Sequence, residues 1–386
     1  MKVIEKENKK FETIQWPDPK DERYLYFPFD QWQQVPWKIA RAKDEQSQSL
    51  LSSTLLQRLQ SLFSERVVYI QVFANQVISE DISVEKKESS FFINALDSDW
   101  EDPFLASFQK QAETYYIPIE QNCIVIVEYS MPEDFSNSFA SFNLYFSIES
   151  GVNVKFMEYF APSSHSFFMA NRIFHLQEES HLEKIVLTTQ GKNKALLFDN
   201  IYYELQQKAF VSSVNVPQIK GAYRKNMYAS FVGQEAHLEN YTLHRVKNND
   251  VYDHFAKLKH DAKETSCKDT LHAIAEDEGV SNFCTRIVIG KNIAKATSNQ
   301  KAKGIALSNT VKFNFRPELE IYSDEVECSH GASIGSLDEE ALFYLRARGL
   351  SLEEAKELLV QATESSILDH SFLPQDLIQE VIGENQ

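Results

Sequence analysis

The chain has 386 residues, a formal net charge of −17 and a pI of about 5.1. Its length allows one large domain or two to three ordinary ones. The acidic excess argues against nucleic acid and anionic membrane surfaces as partners, because both attract clustered Lys and Arg. The four cysteines are widely separated. Neither a targeting segment nor a run of about 18 apolar residues is visible, so we expect a cytoplasmic location.

Residues 1–104 have the pattern of a mixed, mainly helical region. Leucines recur at helical spacings between Leu50 and Leu62. The run from Val67 to Ile78 is instead rich in β-branched and aromatic residues, which favour strands. We therefore expect helices and a β-rich stretch ahead of the main body of the chain.

Residues 105–335 consist of short apolar runs between polar breaks. The sequence around His181 is echoed 56 residues later around His237, a spacing that fits two or three turns of a coil of short strands. The whole chain has only 11 glycines, which favours stacked coils over tight two-residue hairpins. An antiparallel sandwich would give many of the same runs, so the pattern favours a solenoid without excluding the sandwich.

Residues 336–386 predict a pair of helices. A capping box is expected at Ser336–Glu339, a helix stop at Gly349, and a second capping box at Ser351–Glu354. Each helix carries an apolar stripe, which we expect to pack against another apolar surface. The stripes consist of Leu337, Ala341, Leu342 and Leu345 in the first helix, and Leu352, Ala355, Leu358, Leu359 and Ala362 in the second.

A candidate metal or sulfur site lies just ahead of these helices. Cys328 and His330 have the same phase of the strand alternation, so both side chains should project from one face. A thiolate beside an imidazole suits iron, zinc or copper(I). Taken alone, the pair favours the ordinary interpretation of a small buried cysteine and a hydrogen-bonded surface histidine. It also falls short of the roughly four protein ligands that an iron–sulfur cluster takes.

Other candidate sites are weaker. His244, His254 and His260 occur near aspartates at spacings that no single helix or strand would focus on one point, which predicts a solvated loop. Cys267 and Cys284 are expected to be structural. No phosphate-binding P-loop, nucleophile elbow or H-E-x-x-H pair is present in the sequence, so we expect no enzyme activity.

The segment Leu319–Gly349, LEIYSDEVECSHGASIGSLDEEALFYLRARG, resembles the SufB/SufD family of iron–sulfur cluster assembly proteins, and within it the SufD branch. Looser likeness occurs upstream, for example at Lys20–Tyr24 and Ser147–Val152. The resemblance implies a mainly β fold, a right-handed parallel β-helix core flanked by N-terminal and C-terminal helical segments. His272 matches a family position only loosely, because the acidic Glu276–Glu278 replaces the usual residues after it.

The resemblance also implies a function. The chain would be a non-catalytic scaffold subunit that pairs with a SufB-like paralogue and docks a SufC-like ABC ATPase, with no nucleic acid or membrane partner. His330 would lie at the SufB interface as a nascent-cluster residue, with Cys328 a weaker candidate. Any iron–sulfur cluster would be transient and form only in the complex, to which other proteins bring iron, sulfide and reduced flavin; the isolated chain would hold no cofactor tightly. The implied docking residues are Leu337, Leu342, Leu345, Leu352, Leu358 and Leu359.

The sequence leaves two alternatives to this function. One is a β-helix polysaccharide lyase or hydrolase, for which a chain of net charge −17 is a poor match if the substrate is acidic. The other is a SufB-like subunit that itself carries the nascent cluster. SufB-type chains differ from this sequence in the block around Cys328 and His330 and carry extra cysteines.

Overall fold

The structure, a computed structural model, describes most of the chain. The described residues are 16–18, 20–35, 37–40, 51, 53–74, 76–97, 100, 102–131, 137–162, 166–189, 194–218 and 220–383.

Twenty strands make up most of the described chain. In chain order they are β1 (Lys38–Ile39), β2 (Arg66–Phe73), β3 (Gln76–Ile78), β4 (Glu85–Lys87), β5 (Glu113–Ile119), β6 (Cys123–Ser130), β7 (Ser138–Ile148), β8 (Asn153–Ala161), β9 (Ser166–Leu176), β10 (His181–Thr188), β11 (Ala195–Leu205), β12 (Phe210–Val216), β13 (Gly221–Phe231), β14 (His237–Val246), β15 (Val251–His260), β16 (Ser266–Ala275), β17 (Val280–Ile289), β18 (Ala296–Ala306), β19 (Lys312–Ile321) and β20 (Val326–Gly335).

Helices flank these strands at both ends of the sequence. They are α1 (Asp30–Gln33), α2 (Ser53–Leu62), α3 (Ser89–Asn94), α4 (Pro103–Gln109), α5 (Glu339–Ala347), α6 (Leu352–Leu368) and α7 (Gln375–Gly383). The predicted mainly β core with flanking helical segments is confirmed. The boundaries predicted at residues 104 and 335 remain predictions, although β2 already belongs to the main sheets.

The strands form a parallel β-solenoid of about seven turns. From β5 onward, odd-numbered strands join one ten-stranded sheet, sheet A, and even-numbered strands join the other, sheet B. Each strand pairs in parallel with the strand two places later, so one turn contains two strands. The sequence echo between His181 and His237 spans two of these turns, because His181 pairs with Phe210 and Phe210 pairs with His237.

One corner of the solenoid explains the low glycine content. A residue one or two positions before each even-numbered strand from β8 to β18 has a positive φ, and from β10 onward this residue is not glycine. The non-glycine residues are Glu179, Lys208, Glu235, Glu264 and Lys295, with φ between 54° and 60°. Each donates its backbone N–H to a carbonyl of the next turn, which offsets the strain of the left-handed conformation.

Helices and the N-terminal segment cover the outer faces of both sheets. Aromatic residues of the N-terminal segment, including Phe29, pack with Phe104 and Phe108 of α4 on sheet A. Helices α2, α6 and α7 pack on the outer face of sheet B, where Leu59 and Leu377 belong to one apolar cluster. The solenoid is therefore covered along its sides.

The end formed by β19 and β20 differs from the sides. These are the terminal strands of sheets A and B, and the described residues contain no further strand beyond them. The residues of β19 are partly exposed along nearly its whole length, whereas β17, one turn earlier, has alternate residues buried. The solenoid is thus open at this end.

The C-terminal helices agree with the predicted pair except at the first cap. The N-cap of α5 is Asp338, whose side chain accepts from the backbone of Glu340 and Ala341, so the capping box predicted at Ser336–Glu339 is wrong. In a capping box, the side chain of the third helical residue reaches back to the backbone of the N-cap residue. Here the N-cap lies two residues later than predicted, so Ser336 and Glu339 do not occupy these two positions. The second capping box, between Ser351 and Glu354, is confirmed.

The helix stop at Gly349 is also confirmed. Gly349 has a φ of 102°, a conformation that glycine adopts without a steric penalty. The backbone N–H groups of Gly349 and Leu350 donate to the carbonyls of Arg346 and Leu345, which is the Schellman pattern of a helix end. The chain can therefore turn directly from α5 into α6.

Candidate functional site

Cys328 and His330 lie on the same face of β20, as the alternation predicts. In β18, the strand paired with β20, alternate residues are buried and face the interior. Cys328 is aligned with the buried Ser298, and His330 with the buried Gln300. Both predicted site residues therefore face the interior of the solenoid on its terminal turn. No further strand of the described chain covers this turn.

The surroundings of Cys328 are mostly apolar. Its half-buried side chain packs against the central apolar cluster, which also contains the buried Cys267 two turns earlier. Burial raises the pKa of the Cys267 thiol well above its usual value. His260 Nε2 lies 3.3 Å from Cys267 Sγ. Cys267 is thus a structural residue, as expected, and Ser298 separates it from Cys328 along the sheet.

His330 ends a column of polar residues that runs inside the solenoid. Residues aligned on successive strands of sheet B are Asn240, Asp269, Gln300 and His330. The first three are at most 1% exposed. Polar groups at this depth are costly unless they are hydrogen-bonded, so the column needs partners from sheet A.

Asp269 is the centre of that hydrogen-bond network. Asn240 Nδ2 donates to Asp269 Oδ1 at 2.7 Å, while Thr285 Oγ1 at 2.6 Å and His254 Nε2 at 2.9 Å contact Oδ2. Burial would raise the pKa of Asp269, but His254 and the hydrogen bonds outweigh it and lower the pKa. Lys225 Nζ also donates to Asn240 Oδ1 at 2.8 Å.

The solvated loop predicted for His244, His254 and His260 is wrong. His244 lies on β14 and the other two lie on β15, and all three are buried. The irregular spacing that argued against a focused site arises because β14 and β15 belong to different sheets that face each other. Burial lowers the pKa of His244 to about 3 and that of His260 to about 4.

A second ionic group lies further inside the solenoid. Arg172 is paired with both Glu158 and Asp199, and Lys184 Nζ lies 2.5 Å from Glu158. All four side chains are fully buried. Burial lowers the pKa of Lys184 to about 7, although Glu158 acts in the opposite direction. Buried polar groups therefore lie beside the central apolar cluster from the middle of the solenoid to its open end.

The open end combines the polar column with exposed apolar side chains. Ile321, Tyr322 and Ile334 are among the large apolar residues that the described structure leaves exposed, and Ile334 is 57% exposed. Among the described residues, no three His, Cys, Asp or Glu side chains are close enough to hold a metal ion together. Cys328 and His330 would therefore need additional ligands to bind one.

A second candidate surface lies between α5 and α6. An open groove of about 500 Å³ is lined by both helices, including Tyr344, Leu345, Leu358 and Leu359. Every residue of α5 is at least partly exposed, and Phe343 reaches 75% exposure. Phe343 and Tyr344 were not among the predicted docking residues because they lie off the leucine stripe of α5.

The six predicted docking leucines have different surroundings. Leu337 is buried in the apolar cluster on sheet B, and Leu342 and Leu359 pack partly against that cluster. Leu345 is half-buried and lines the groove. Leu352 and Leu358 are 40% and 45% exposed. The structure thus brings Leu345, Leu358 and Leu359 together at the groove, and it leaves Leu337 inside the fold.

Helix α6 is attached firmly to sheet B. Arg245 of β14 pairs with Glu357 at 2.9 Å and with Glu364 at 2.5 Å. The ring of His272 on β16 lies 3.3 Å from Ser366 Oγ. Burial beneath α6 lowers the pKa of His272. His272 therefore contacts the helix, and it lies two strands away from β20 in sheet B.

These features define a β-solenoid scaffold with a Cys-x-His pair on its open terminal turn and a helical hairpin on its flank. Residues 134–363, more than half of the chain, match the family model described as "SUF system FeS cluster assembly, SufBD core domain". The chain belongs to this SufBD family of the SUF iron–sulfur cluster assembly system. Among the described residues, no helix is long and apolar enough to cross a membrane.

Relatives in three organisms match parts of the chain. The iron–sulfur cluster assembly protein SufD of Escherichia coli is 26% identical over 42% of this chain and 38% of its own length. The chloroplastic protein ABCI7 of Arabidopsis thaliana is 28% identical over 38% of this chain and 31% of its own length. A SufBD family protein of Synechocystis sp. is 36% identical over 26% of this chain and 22% of its own length. The matches thus cover less than two fifths of each relative.

Proposed function

We propose that this chain is a non-catalytic, SufD-like scaffold subunit of an iron–sulfur cluster assembly complex. In this proposal it pairs with a SufB-like paralogue through its open end and docks a SufC-like ABC ATPase through the groove between α5 and α6. The observation that carries the proposal is the position of His330 and Cys328 on the open terminal turn, facing the interior.

The open end is suited to pairing with a similar solenoid. A terminal strand presents backbone N–H and C=O groups on its free side, and a strand from a partner can satisfy them. Burial of Ile321, Tyr322 and Ile334 would add an apolar contribution, at about 25 cal/mol per Å² of apolar surface removed from water. A partner docked on β20 would also cover His330.

Cluster assembly at this interface requires ligands from both partners. An imidazole and a thiol on one face supply two of the roughly four protein ligands that an iron–sulfur cluster takes. The SufB-like partner would contribute the others. The cluster is then cargo that forms only in the complex, from iron, sulfide and reduced flavin delivered by other proteins, and the isolated chain holds no cofactor tightly.

The groove between α5 and α6 supports ATPase docking. Aromatic and aliphatic side chains that line or border a concave surface act as anchors for a partner helix. The ion pairs from Arg245 to Glu357 and Glu364 connect α6 to sheet B, so a movement of the ATPase would be transmitted to the solenoid. The alternative of a polysaccharide lyase or hydrolase receives less support. The carboxylates clustered inside the solenoid, such as Glu158 and Asp269, are buried and paired, whereas a polysaccharide enzyme needs them in an open groove.

Co-purification tests this proposal. The tagged chain would be co-expressed with the SufB-like and SufC-like proteins of its own organism, purified through the tag and sized by gel filtration with mass analysis. We expect a complex that contains all three proteins, with ATP hydrolysis present in the complex and absent from the isolated chain. Recovery of the tagged chain alone under the same conditions would contradict the proposal, as would ATP hydrolysis by the chain without partners.

A further inference from the structure

Gln300 lies one turn below His330, directly in register with it. The two residues are Cα partners on β18 and β20, and both side chains belong to the inward face. Gln300 is 1% exposed, while His330 is exposed at the open end. Side chains at aligned positions of neighbouring strands are roughly 5 Å apart, within reach of a hydrogen bond after a small rotation of the ring.

The amide of Gln300 has a fixed orientation. Its Nε2 donates to the backbone carbonyl of Glu318 on β19 at 2.9 Å. The reverse orientation would place two oxygens against each other, so the assignment of nitrogen and oxygen follows from the chemistry. This hydrogen bond leaves Oε1 as a buried acceptor that has no hydrogen-bond partner in the described part of the chain. A buried acceptor without a donor lowers the stability of the folded state, and a hydrogen bond from a donor would remove this penalty.

The aligned side chain of the turn below offers no donor. Gln300 is aligned there with Asp269, an acceptor whose two carboxylate oxygens are already occupied by Asn240, Thr285 and His254. The amide oxygen of Gln300 and the carboxylate oxygens of Asp269 are all acceptors, so they cannot form a hydrogen bond with each other. The next side chain along the column in the other direction is His330, which can offer a ring N–H.

We propose that Gln300 is a positioning residue for His330. Its Oε1 accepts the N–H of one imidazole nitrogen, which keeps the other nitrogen unprotonated and directed toward the open end as a metal ligand. This inference rests on the proposed function of His330. Histidine ligands of metals typically donate their second nitrogen to such an acceptor, which fixes both the tautomer and the orientation of the ring.

Nuclear magnetic resonance of the full chain tests the tautomer directly. Histidine would be labelled with ¹⁵N, and the His330 signals assigned by their loss in His330→Ala. In the wild type at a pH where the ring is neutral, we expect one nitrogen with a bound proton and the other without, which is the signature of a single tautomer. In Gln300→Met, which has a similar size but replaces the amide oxygen with a weakly accepting sulfur, both nitrogens should shift toward averaged values.

Ser298→Ala is the matched control for this experiment. Ser298 lies on the same strand and the same face, is also buried, and is aligned with Cys328 instead of His330. We expect the His330 signals of this variant to match the wild type. An averaged tautomer in the wild type would overturn the proposal even if Gln300→Met failed to fold. An unchanged single tautomer in a folded Gln300→Met variant would overturn it as well.

Metal loading of the assembled complex distinguishes this inference from the proposed function. Loss of the residue that orients a metal-binding histidine typically costs about 10- to 100-fold in metal affinity. With Fe²⁺ as the probe, we expect Gln300→Met to reduce the affinity of the complex to this extent without loss of partners. If His330→Ala reduces iron binding and Gln300→Met does not, the proposed function stands and the positioning role fails.

Discussion

Cys328 and His330 face the same interior, two positions apart on β20, yet they end different columns of side chains. Cys328 follows Cys267 and Ser298 and packs on the apolar cluster. His330 follows Asp269 and Gln300 at the end of the polar column. Because only His330 is exposed and continues a polar column, the proposed function gives it the larger role in cluster assembly.

Pairing through the open end predicts that a charge at Ile334 blocks the SufB-like partner. Ile334 is 57% exposed, so Ile334→Asp should leave the monomer folded. In the complex the carboxylate would be buried against the partner, and an unpaired buried charge costs several kcal/mol. We expect a loss of the SufB-like protein from the purified complex, measured by co-purification.

Val232→Asp serves as the control for a new surface charge. Val232 is 42% exposed and lies at a corner of the solenoid, away from β20. This variant should retain both partners. Normal retention of the SufB-like protein by Ile334→Asp would show that the partner docks elsewhere.

ATPase docking at the groove predicts a separate effect of Leu358→Asp. Leu358 is 45% exposed at the groove, whereas Leu342 packs against the cluster on sheet B, so Leu358 gives the cleaner test. We expect this variant to lose the SufC-like subunit and to keep the SufB-like subunit, with an unchanged circular dichroism spectrum. If the variant unfolds, or if it keeps the ATPase, the groove is not the docking surface.

The buried ion pairs predict a large stability effect at Arg172. Arg172→Met would leave Asp199 without its ionic partner in a fully buried position. Removal of one member of a buried pair costs about 3–5 kcal/mol. We expect a loss of this size in the free energy of unfolding, measured with denaturant. Lys295→Ala breaks the exposed pair with Glu264 and should leave the unfolding midpoint close to that of the wild type, in contrast to Arg172→Met.

The buried histidines predict a loss of stability in mild acid. Burial lowers the pKa of His260 to about 4 from 6.5, so the folded state resists protonation while the unfolded state accepts it. This contribution to stability is present above pH 6.5 and decreases as the pH falls toward 4. For one such histidine the loss between pH 7 and pH 5 is about 2 kcal/mol. Denaturant unfolding at the two pH values should show a smaller loss in His260→Gln, and an equal loss in both proteins would contradict this account.

Local patterns predicted some parts of the structure and not others. The shared face of Cys328 and His330 depends only on strand alternation, and the stop at Gly349 depends only on backbone sterics. The burial of His244 and His254 depends on how two sheets face each other across the interior. The spacing of residues along the chain does not reveal this arrangement. In the sequence, polar residues inside a solenoid also have the same pattern as loop residues.

The same limit applies to the docking leucines. Leu337 and Leu358 have similar positions on predicted apolar stripes, but Leu337 is buried on sheet B while Leu358 is exposed at the groove. Which stripe packs inward depends on the outer face of sheet B, which forms from residues far away in the sequence. The exposed Phe343 and Tyr344 could have been noted from the unusually apolar run Leu342–Leu345.

Iron and sulfide content of the co-expressed complex tests the central claim most directly. His330→Ala, Cys328→Ser and the wild type would be purified with their partners and analysed for iron and acid-labile sulfide per complex. We expect His330→Ala to keep its partners and to lose most of its iron and sulfide, with a milder loss in Cys328→Ser. A His330→Ala complex that assembles and carries wild-type amounts of iron and sulfide would contradict the account.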